Sequence, residues 1–160
     1  MIVVLDTDVI VAAMVAKGLC HEVVVRGLGS CTVVTSQPLL NELEHTLRAK
    51  FTLGPAGMAF VEQLRLRVRI VEPAPFGAPV SRDADDDVVL ATAVAARADL
   101  IVTGDQDLLV IGRHNGIDIV SPRDFLRRPD RAGRLGGVVT VTPPATLPAD
   151  AATRRVGSNS

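Results

Sequence analysis

Apolar and polar positions along the chain alternate between short, continuous apolar runs and longer segments with helical spacing. The first run, Ile2 to Leu5, has four apolar residues in succession, which is typical of a strand covered on both faces. The segment after it keeps apolar residues at helical spacing through Ile10, Ala13 and Met14. The chain is therefore expected to begin with a buried strand and a helix over Thr7–Ala16.

The same alternation continues along most of the chain. The pattern predicts helices over Cys20–Leu28, Gln37–Lys50, Ala56–Arg67, Val88–Arg97, Leu108–Ile111 and Pro122–Leu126, and strands over Cys31–Thr35, Val68–Val71, Leu100–Thr103 and Ile117–Val120. Gly27 and Gly29 are expected to end the first of these helices. Strands that alternate with helices predict an α/β fold, here a three-layer α/β/α sandwich with a small, mostly parallel central sheet.

The C-terminal part of the chain has a different composition. Residues 1–127 are expected to form one domain, whereas residues 128–160 are rich in Gly, Pro and Arg and have no sustained apolar period. Such a segment buries too little apolar surface to offset the entropy of ordering it. We therefore expect a disordered tail, in which only Val138–Val141 is suited to an edge strand.

Composition and charge limit the ways in which this chain can bind nucleic acid. It has four Phe and no Trp or Tyr, so it lacks the aromatic platform on which unpaired bases usually stack. The formal net charge is −1, and residues 127–160 hold six Arg against two Asp, so the predicted domain is acidic. An acidic domain fits a polyanionic partner only if cations are concentrated at its acids.

Cysteine content and hydropathy indicate the compartment. Cys20 and Cys31 are not in CxxC spacing and are expected to be free thiols. No signal segment is recognised, and no apolar run approaches the roughly 18 residues that span a membrane. The expectation is a cytoplasmic protein with no membrane partner.

Acidic residues follow the predicted strands, at one end of the predicted sheet. Asp6 comes directly after the first strand, Glu42 lies early in the helix after the second, the run 83–87 opens a helix, and Asp105 and Asp107 follow the strand after it. The carboxyl ends of parallel strands share one edge, where α/β sheets bind ligands. Because Mg²⁺ and Mn²⁺ prefer oxygen ligands, these acids together predict a metal site.

Each acid also has a purely structural explanation. Asp6 by itself suits a helix cap as well as it suits chemistry, and Asp8, at a helix start, favours a cap over a ligand. Glu44 lies at least as near the leucine face of its helix as Glu42 does, and only the earlier position favours Glu42.

In the run 83–87, acids at a helix start complement the helix dipole. Asp86 is in line with the buried stripe and should point inward more than Asp85, with Asp87 beside it as a competitor. Asp105 and Asp107 would also suit a simple turn.

Four stretches of the chain resemble the PIN domain family, named for the PilT amino-terminal region. They are VVLDTDVIVAA, SQPLLNELEHTL, RDADDDVVLATAVAARADLIVTGDQDLL and IDIVSPRDFL, and they span about residues 1–127. Within the family, the chain is most similar to the VapC-like bacterial subgroup, the toxins of type II toxin–antitoxin pairs.

This resemblance implies an Mg²⁺- or Mn²⁺-dependent endoribonuclease whose catalytic acids are Asp6, Glu42, Asp86 and Asp105. Asp6, Asp86 and Asp105 would bind the metal, with Asp87 as an alternative third ligand, and Glu42 would complete the site or orient the attacking water. Supporting roles are expected for Thr7, Asp8, Thr103 and Asp107. Many relatives carry Asn at the position of Asp8. The expected partners are an RNA substrate, a small antitoxin protein and a second copy of the chain in a homodimer.

Two other functions fit parts of the same sequence. The opening also resembles phosphatases of the haloacid dehalogenase superfamily, but these need a lysine late in the chain, and the only lysines here are Lys17 and Lys50. The second alternative is a non-catalytic module of the PIN fold that binds RNA or protein.

Overall fold

Strands and helices alternate along the chain in the computed structural model, which describes residues 1–50, 54–75 and 84–129. The elements in order are β1 Ile2–Leu5, α1 Thr7–Val15, α2 Leu19–Ser30, β2 Thr32–Thr35, α3 Gln37–Lys50, α4 Pro55–Arg67, β3 Arg69–Ile70, α5 Ala84–Ala96, β4 Leu100–Val102, α6 Gln106–Ile111, β5 Arg113–His114, β6 Ile117–Val120 and α7 Pro122–Arg127. The predicted α/β fold with a mostly parallel sheet is confirmed.

One six-stranded sheet forms the centre of the fold, in the order β3-β2-β1-β4-β6-β5. β1 pairs in parallel with β2 on one side and with β4 on the other, so that Val3 lies opposite both Val33 and Leu100. The chain first builds the sheet outward from β1 to β3 and then returns to the other side of β1. The carboxyl ends of β1 and β4 therefore flank a topological switch point, the usual ligand site of such sheets.

Both faces of the sheet are covered by apolar side chains. Alternate residues of β1 point to opposite faces, so Val3 and Val4 belong to two separate clusters of buried residues. Residues from α1, α2, α3, α4 and α7 complete the first cluster, and residues from α5 and α6 are in the second. This double burial explains why the strands read as continuous apolar runs.

The predicted end of α2 is wrong, because the helix continues through Gly27 and Gly29 to Ser30. A Cβ atom at position 27 would lie 3.4 Å from Cγ2 of Val33 and 3.7 Å from Cδ1 of Leu5. These are ordinary van der Waals distances, so α2 packs directly on β1 and β2 at this position. Gly27 is thus a buried residue of the helix-to-sheet contact and does not break the helix.

The short strand β5 was not predicted. It pairs antiparallel with β6 through a two-residue turn, in which Asn115 and Gly116 have φ values of 48° and 79°. An Asn-Gly pair with two positive φ angles is the preferred turn of a tight hairpin. The Asn-Gly dipeptide was therefore the signal that could have predicted this edge strand.

Some expectations from the sequence concern other parts of the chain. The proposed tail beyond residue 129, with its candidate strand Val138–Val141, lies outside the described residues, as does most of the predicted loop Glu72–Val80. Cys20 and Cys31 are half-buried and do not form a disulfide, as expected. In the described part of the chain, no helix has both the length and the apolar character needed to cross a membrane.

Candidate metal centre

Asp6 lies at the switch point, where the chain leaves β1 and enters α1. Its backbone N–H donates to the carbonyl of Val102 at 2.9 Å, which extends the pairing of β1 with β4 by one residue. Its backbone is extended, and its Oδ1 accepts a 2.7 Å hydrogen bond from the N–H of Thr7. Asp6 is thus the N-cap of α1. The expectation that Asp8 is the cap is wrong, because the helix begins one residue before Asp8.

Asp6 is 8% exposed, and its carboxyl group holds its proton more tightly than an ordinary Asp does. Burial, and next the negative charge of Asp8, raises its pKa from 3.8 to about 7, with a smaller contribution from Glu42. Hydrogen bonds from Thr103 and Thr7 lower the pKa and offset part of this rise. A carboxylate held among other acids in this way is ready to be neutralised by a cation.

Asp8 reaches from the first turn of α1 to the loop between β4 and α6. Its carboxylate accepts hydrogen bonds from the backbone N–H groups of Val9 and Gly104, which lower its pKa, but desolvation, aided by the charge of Asp105, raises the pKa overall. A Cβ atom at position 104 would lie 3.1 Å from Oδ2 of Asp8, so only glycine leaves this contact unhindered. Asp8 therefore links α1 to the segment that carries Asp105.

Three acids on α5 and α6 are close enough to share one ion. Asp86, Asp105 and Asp107 each offer a carboxylate oxygen, and these oxygens lie within 4.8 Å of one another. Asp105 is the N-cap of α6, where its Oδ1 accepts a 2.9 Å hydrogen bond from the N–H of Asp107. The spacing and the all-oxygen chemistry fit a hard divalent cation such as Mg²⁺ or Mn²⁺.

Helix phase separates the acids at the start of α5, in agreement with the sequence prediction. Asp86 is 4% exposed, whereas Asp85 is exposed and Asp87 is half-buried. The hydroxyl of Thr92, on the same helix α5, donates a 2.9 Å hydrogen bond to Oγ of Ser36. This buried bond joins α5 to the start of α3 and so helps to hold Asp86 and Glu42 on facing elements.

The ambiguity between Glu42 and Glu44 is resolved by a neighbouring helix. Glu44 forms a 2.7 Å ion pair with Arg65 of α4, on the side of α3 that faces that helix. Glu42 is half-buried and lines the same cleft as Asp6. Glu42, which the sequence favoured only by its earlier position in α3, is therefore the glutamate that faces the acids.

An open cleft of about 370 Å³ lies between α1, α3 and α5 at the end of the sheet. We call it the acidic cleft, because its lining includes six carboxylic acids, namely Asp6, Asp8, Glu42, Asp85, Asp86 and Asp105. Thr7 also lines it. Of the other predicted residues, Thr103 lies behind Asp6 as its hydrogen-bond donor, Asp107 is beside Asp105, and Asp87 lies outside the lining.

Sequence reasoning missed several lining residues: Val11 and Ala12 of α1, Thr46 and Lys50 of α3, and Asp85 of α5, which was expected to point inward less than Asp86. Thr46 and Lys50 follow Glu42 at intervals of four residues, so all three lie on one face of α3. This helical spacing was the available signal, once Glu42 had been chosen.

The fold and the site together define a class of protein. A parallel α/β sheet whose switch point opens into a cleft lined by carboxylates is suited to bind a divalent cation, with the chain's own acids as ligands.

A family model narrows this class. The model of the PIN domain matches residues 2–107, which covers the strands and helices that carry every acid of the acidic cleft. The chain belongs to the PIN domain family, as its sequence motifs suggested. The comparison with curated proteins gave no match.

The solved structures that are similar to this chain include two VapBC structures. The crystal structure of VapBC2 from Rickettsia felis, bound to a DNA fragment from their promoter, matches with a TM-score of 0.52 and 16% identity, over 76% of this chain and 98% of that chain. The structure of VapBC-1 from nontypeable Haemophilus influenzae matches with a TM-score of 0.49 and 19% identity, over 77% of this chain and 99% of that chain. At 16% identity, the first likeness shows a shared fold.

Proposed function

We propose that this protein is an endoribonuclease that depends on Mg²⁺ or Mn²⁺ and hydrolyses phosphodiester bonds of single-stranded RNA. The observation that carries the proposal is the convergence of Asp6, Glu42, Asp86 and Asp105 on one cleft. These acids come from four separate segments of the chain. A purely structural set of acids would have no reason to meet around one open space, since their mutual repulsion raises the cost of folding.

The residues present divide into a cation-binding group and a group that handles the water. Asp86, Asp105 and Asp107 would hold the cation, with Asp6, which lines the same cleft, as a further ligand. A bound divalent cation lowers the pKa of water and neutralises charge that builds on the phosphate oxygens. Thr103 and Thr7 each donate one hydrogen bond to Asp6 and so fix the direction of its carboxylate.

Glu42 has the role of orienting the attacking water and accepting its proton. It lies on α3, across the acidic cleft from the helix that carries Asp86. Its half-buried position, near enough to Asp6 to raise the pKa of that residue, keeps it within the cleft. A carboxylate that accepts a proton in this position would act as a general base.

We further propose that the protein is the toxin of a type II toxin–antitoxin pair and that a small antitoxin protein holds it inactive. The support is the family membership, together with the VapBC2 complex whose fold it shares. A reading frame for a small DNA-binding protein beside this gene would support this role. Co-expression of that small protein should relieve the growth arrest expected when the toxin is expressed alone. The family resemblance also implies a homodimer, which light scattering of the purified protein tests.

A cleavage assay tests the enzymatic proposal. Wild-type protein is incubated with end-labelled single-stranded RNA in Mn²⁺, in Mg²⁺ and in EDTA, beside the variants Asp105→Asn and Asp124→Asn. Asp124 is an exposed acid at the start of α7 and outside the acidic cleft, so it controls for the loss of one negative charge. Fragments should form only with a cation and should persist in Asp124→Asn but not in Asp105→Asn.

The outcomes separate the three candidate functions. RNA that stays intact with the wild type in both cations contradicts the nuclease and favours a non-catalytic binding module. Release of phosphate from small esters, without cleavage of RNA, would instead indicate a phosphatase. Equal cleavage by Asp105→Asn would point to a contaminating nuclease.

A further inference from the structure

Among the residues that the structure describes, Lys50 is the one basic residue in the lining of the acidic cleft. It follows Glu42 by two helical steps of four residues, and Thr46 lies between them on the same face of α3. Eight residues of helix place Lys50 roughly 12 Å from Glu42 along the axis. The lysine is therefore at the far end of the cleft from the reacting centre, and its side chain is exposed.

The charges of the cleft indicate what Lys50 could bind. Six acids line the cleft, and a bound cation neutralises them only where their oxygens meet. An RNA strand that crosses the cleft must therefore pass an acidic wall, where its phosphates are repelled. A lysine beyond that wall offers an attractive contact for a phosphate next to the cleaved one.

We propose that Lys50, with the hydroxyl of Thr46 beside it, binds a non-bridging oxygen of an RNA phosphate that flanks the scissile phosphodiester. This subsite rests on the proposed ribonuclease function and specifies how the substrate is held. The contact positions the strand and reads no base, so it acts equally on RNAs of different sequence. The chain has no Trp or Tyr on which bases could stack, which increases its dependence on such backbone contacts.

The second lysine of the chain provides a matched control. Lys17 lies in the connection between α1 and α2, is exposed like Lys50, and is outside the lining of the cleft. The variants Lys50→Gln and Lys17→Gln thus remove the same charge from the two lysine positions of the sequence. Lys50→Arg keeps the charge at the cleft.

The decisive measurement is the salt dependence of RNA cleavage and of RNA binding. KM and kcat are measured for short RNAs in Mn²⁺ across a series of salt concentrations, and equilibrium binding is measured in Ca²⁺. A lost contact to a single-stranded phosphate lowers the slope of log affinity against log salt by about 0.7. We expect the lower salt slope and a severalfold higher KM, with an unchanged kcat, in Lys50→Gln only. Lys50→Arg should restore the salt slope and KM of the wild type.

Each outcome decides between the two proposals. If RNA binds with a slope that depends on Lys50 but is never cleaved, the ribonuclease fails and the phosphate contact stands. If RNA is cleaved and the slope is the same in Lys50→Gln and the wild type, the phosphate contact is overturned, whatever happens to KM or to the melting temperature. Equal changes in Lys17→Gln also overturn it, and RNA that neither binds nor is cleaved overturns both.

Discussion

The hydroxyl of Thr103 donates a 2.7 Å hydrogen bond to Oδ2 of Asp6, a residue 97 positions earlier in the chain. The same oxygen of Thr103, which is fully buried, accepts the backbone N–H of Asp105 at 3.0 Å. One hydroxyl thus connects the first acid of the cleft to the segment that carries the last. It holds β1 and β4 in the register that the acidic cleft requires.

Replacing Thr103 by Val should destabilise the protein by about 1–3 kcal/mol, because it leaves a buried carboxylate oxygen and a backbone N–H without their partner. It should also raise the pKa of Asp6 further, since the bond from Thr103 lowers it. Urea unfolding measures the first effect. Thr103→Ser keeps the hydroxyl and should lose much less stability. A loss in Thr103→Val no larger than the loss in Thr103→Ser would contradict this role of the hydroxyl.

Asp6 should make the cation-free protein less stable as the pH rises. Its pKa is about 7 in the folded state and 3.8 ordinarily, so the folded state binds the proton more tightly than the unfolded state does. The free energy of unfolding should therefore fall between about pH 4 and pH 7 and level off above it. Unfolding in EDTA across this range measures the slope, which Asp6→Asn should reduce and Asp124→Asn should not. An unchanged slope in Asp6→Asn would assign the dependence to other groups.

Mn²⁺ or Mg²⁺ should stabilise the folded protein through the acids of α5 and α6. A cation at about 100 times its Kd adds about 2.7 kcal/mol, which is visible as a higher melting temperature. Asp86→Asn should remove most of this increase, because Asp86 is buried within the group that can share one ion. The neighbouring substitution Asp87→Asn should leave it intact. If Asp87→Asn loses more of the cation-induced rise in melting temperature than Asp86→Asn does, Asp87 and not Asp86 binds the cation.

Glu42 and Glu44 should respond in opposite ways to the same substitution. Glu42→Gln removes the proposed general base and should lower cleavage at least about a hundredfold, with little change in stability. Glu44→Gln breaks the ion pair with Arg65 and should cost about 1 kcal/mol or less of stability while cleavage continues. RNA cleavage measures the effect of each variant on activity, and urea unfolding measures its effect on stability. A loss of activity confined to Glu44→Gln would refute the assignment.

Local periodicity was sufficient for the order of the elements other than β5, and for part of the site. The buried phase of Asp86 on α5 followed from its distance to the apolar stripe, which is a property of one helix. The position of Asp6 after a continuous apolar run followed in the same way from one strand.

Other features depend on contacts between distant segments, and no local pattern contains them. Glu42 and Glu44 differ because Arg65, on another helix, pairs with only one of them. Asp8 was expected to cap α1, but its carboxylate is turned toward Gly104, which is 96 residues away in sequence. The run of α2 through Gly27 depends likewise on how closely β1 and β2 approach that helix.

The parallel pairing of β1 with β4 also determines when the site can form during synthesis. Val3 pairs with Leu100, so β1 cannot acquire this neighbour until about one hundred residues have been made. Parallel pairing over such a separation must first overcome the entropy of closing a long loop. A nascent chain that already contains Asp6 and Glu42 but not yet Asp105 has only part of the acids of the cleft. Assembly of the cleft is thus a late event in folding, and hydrogen exchange at the amides of β4 would time it.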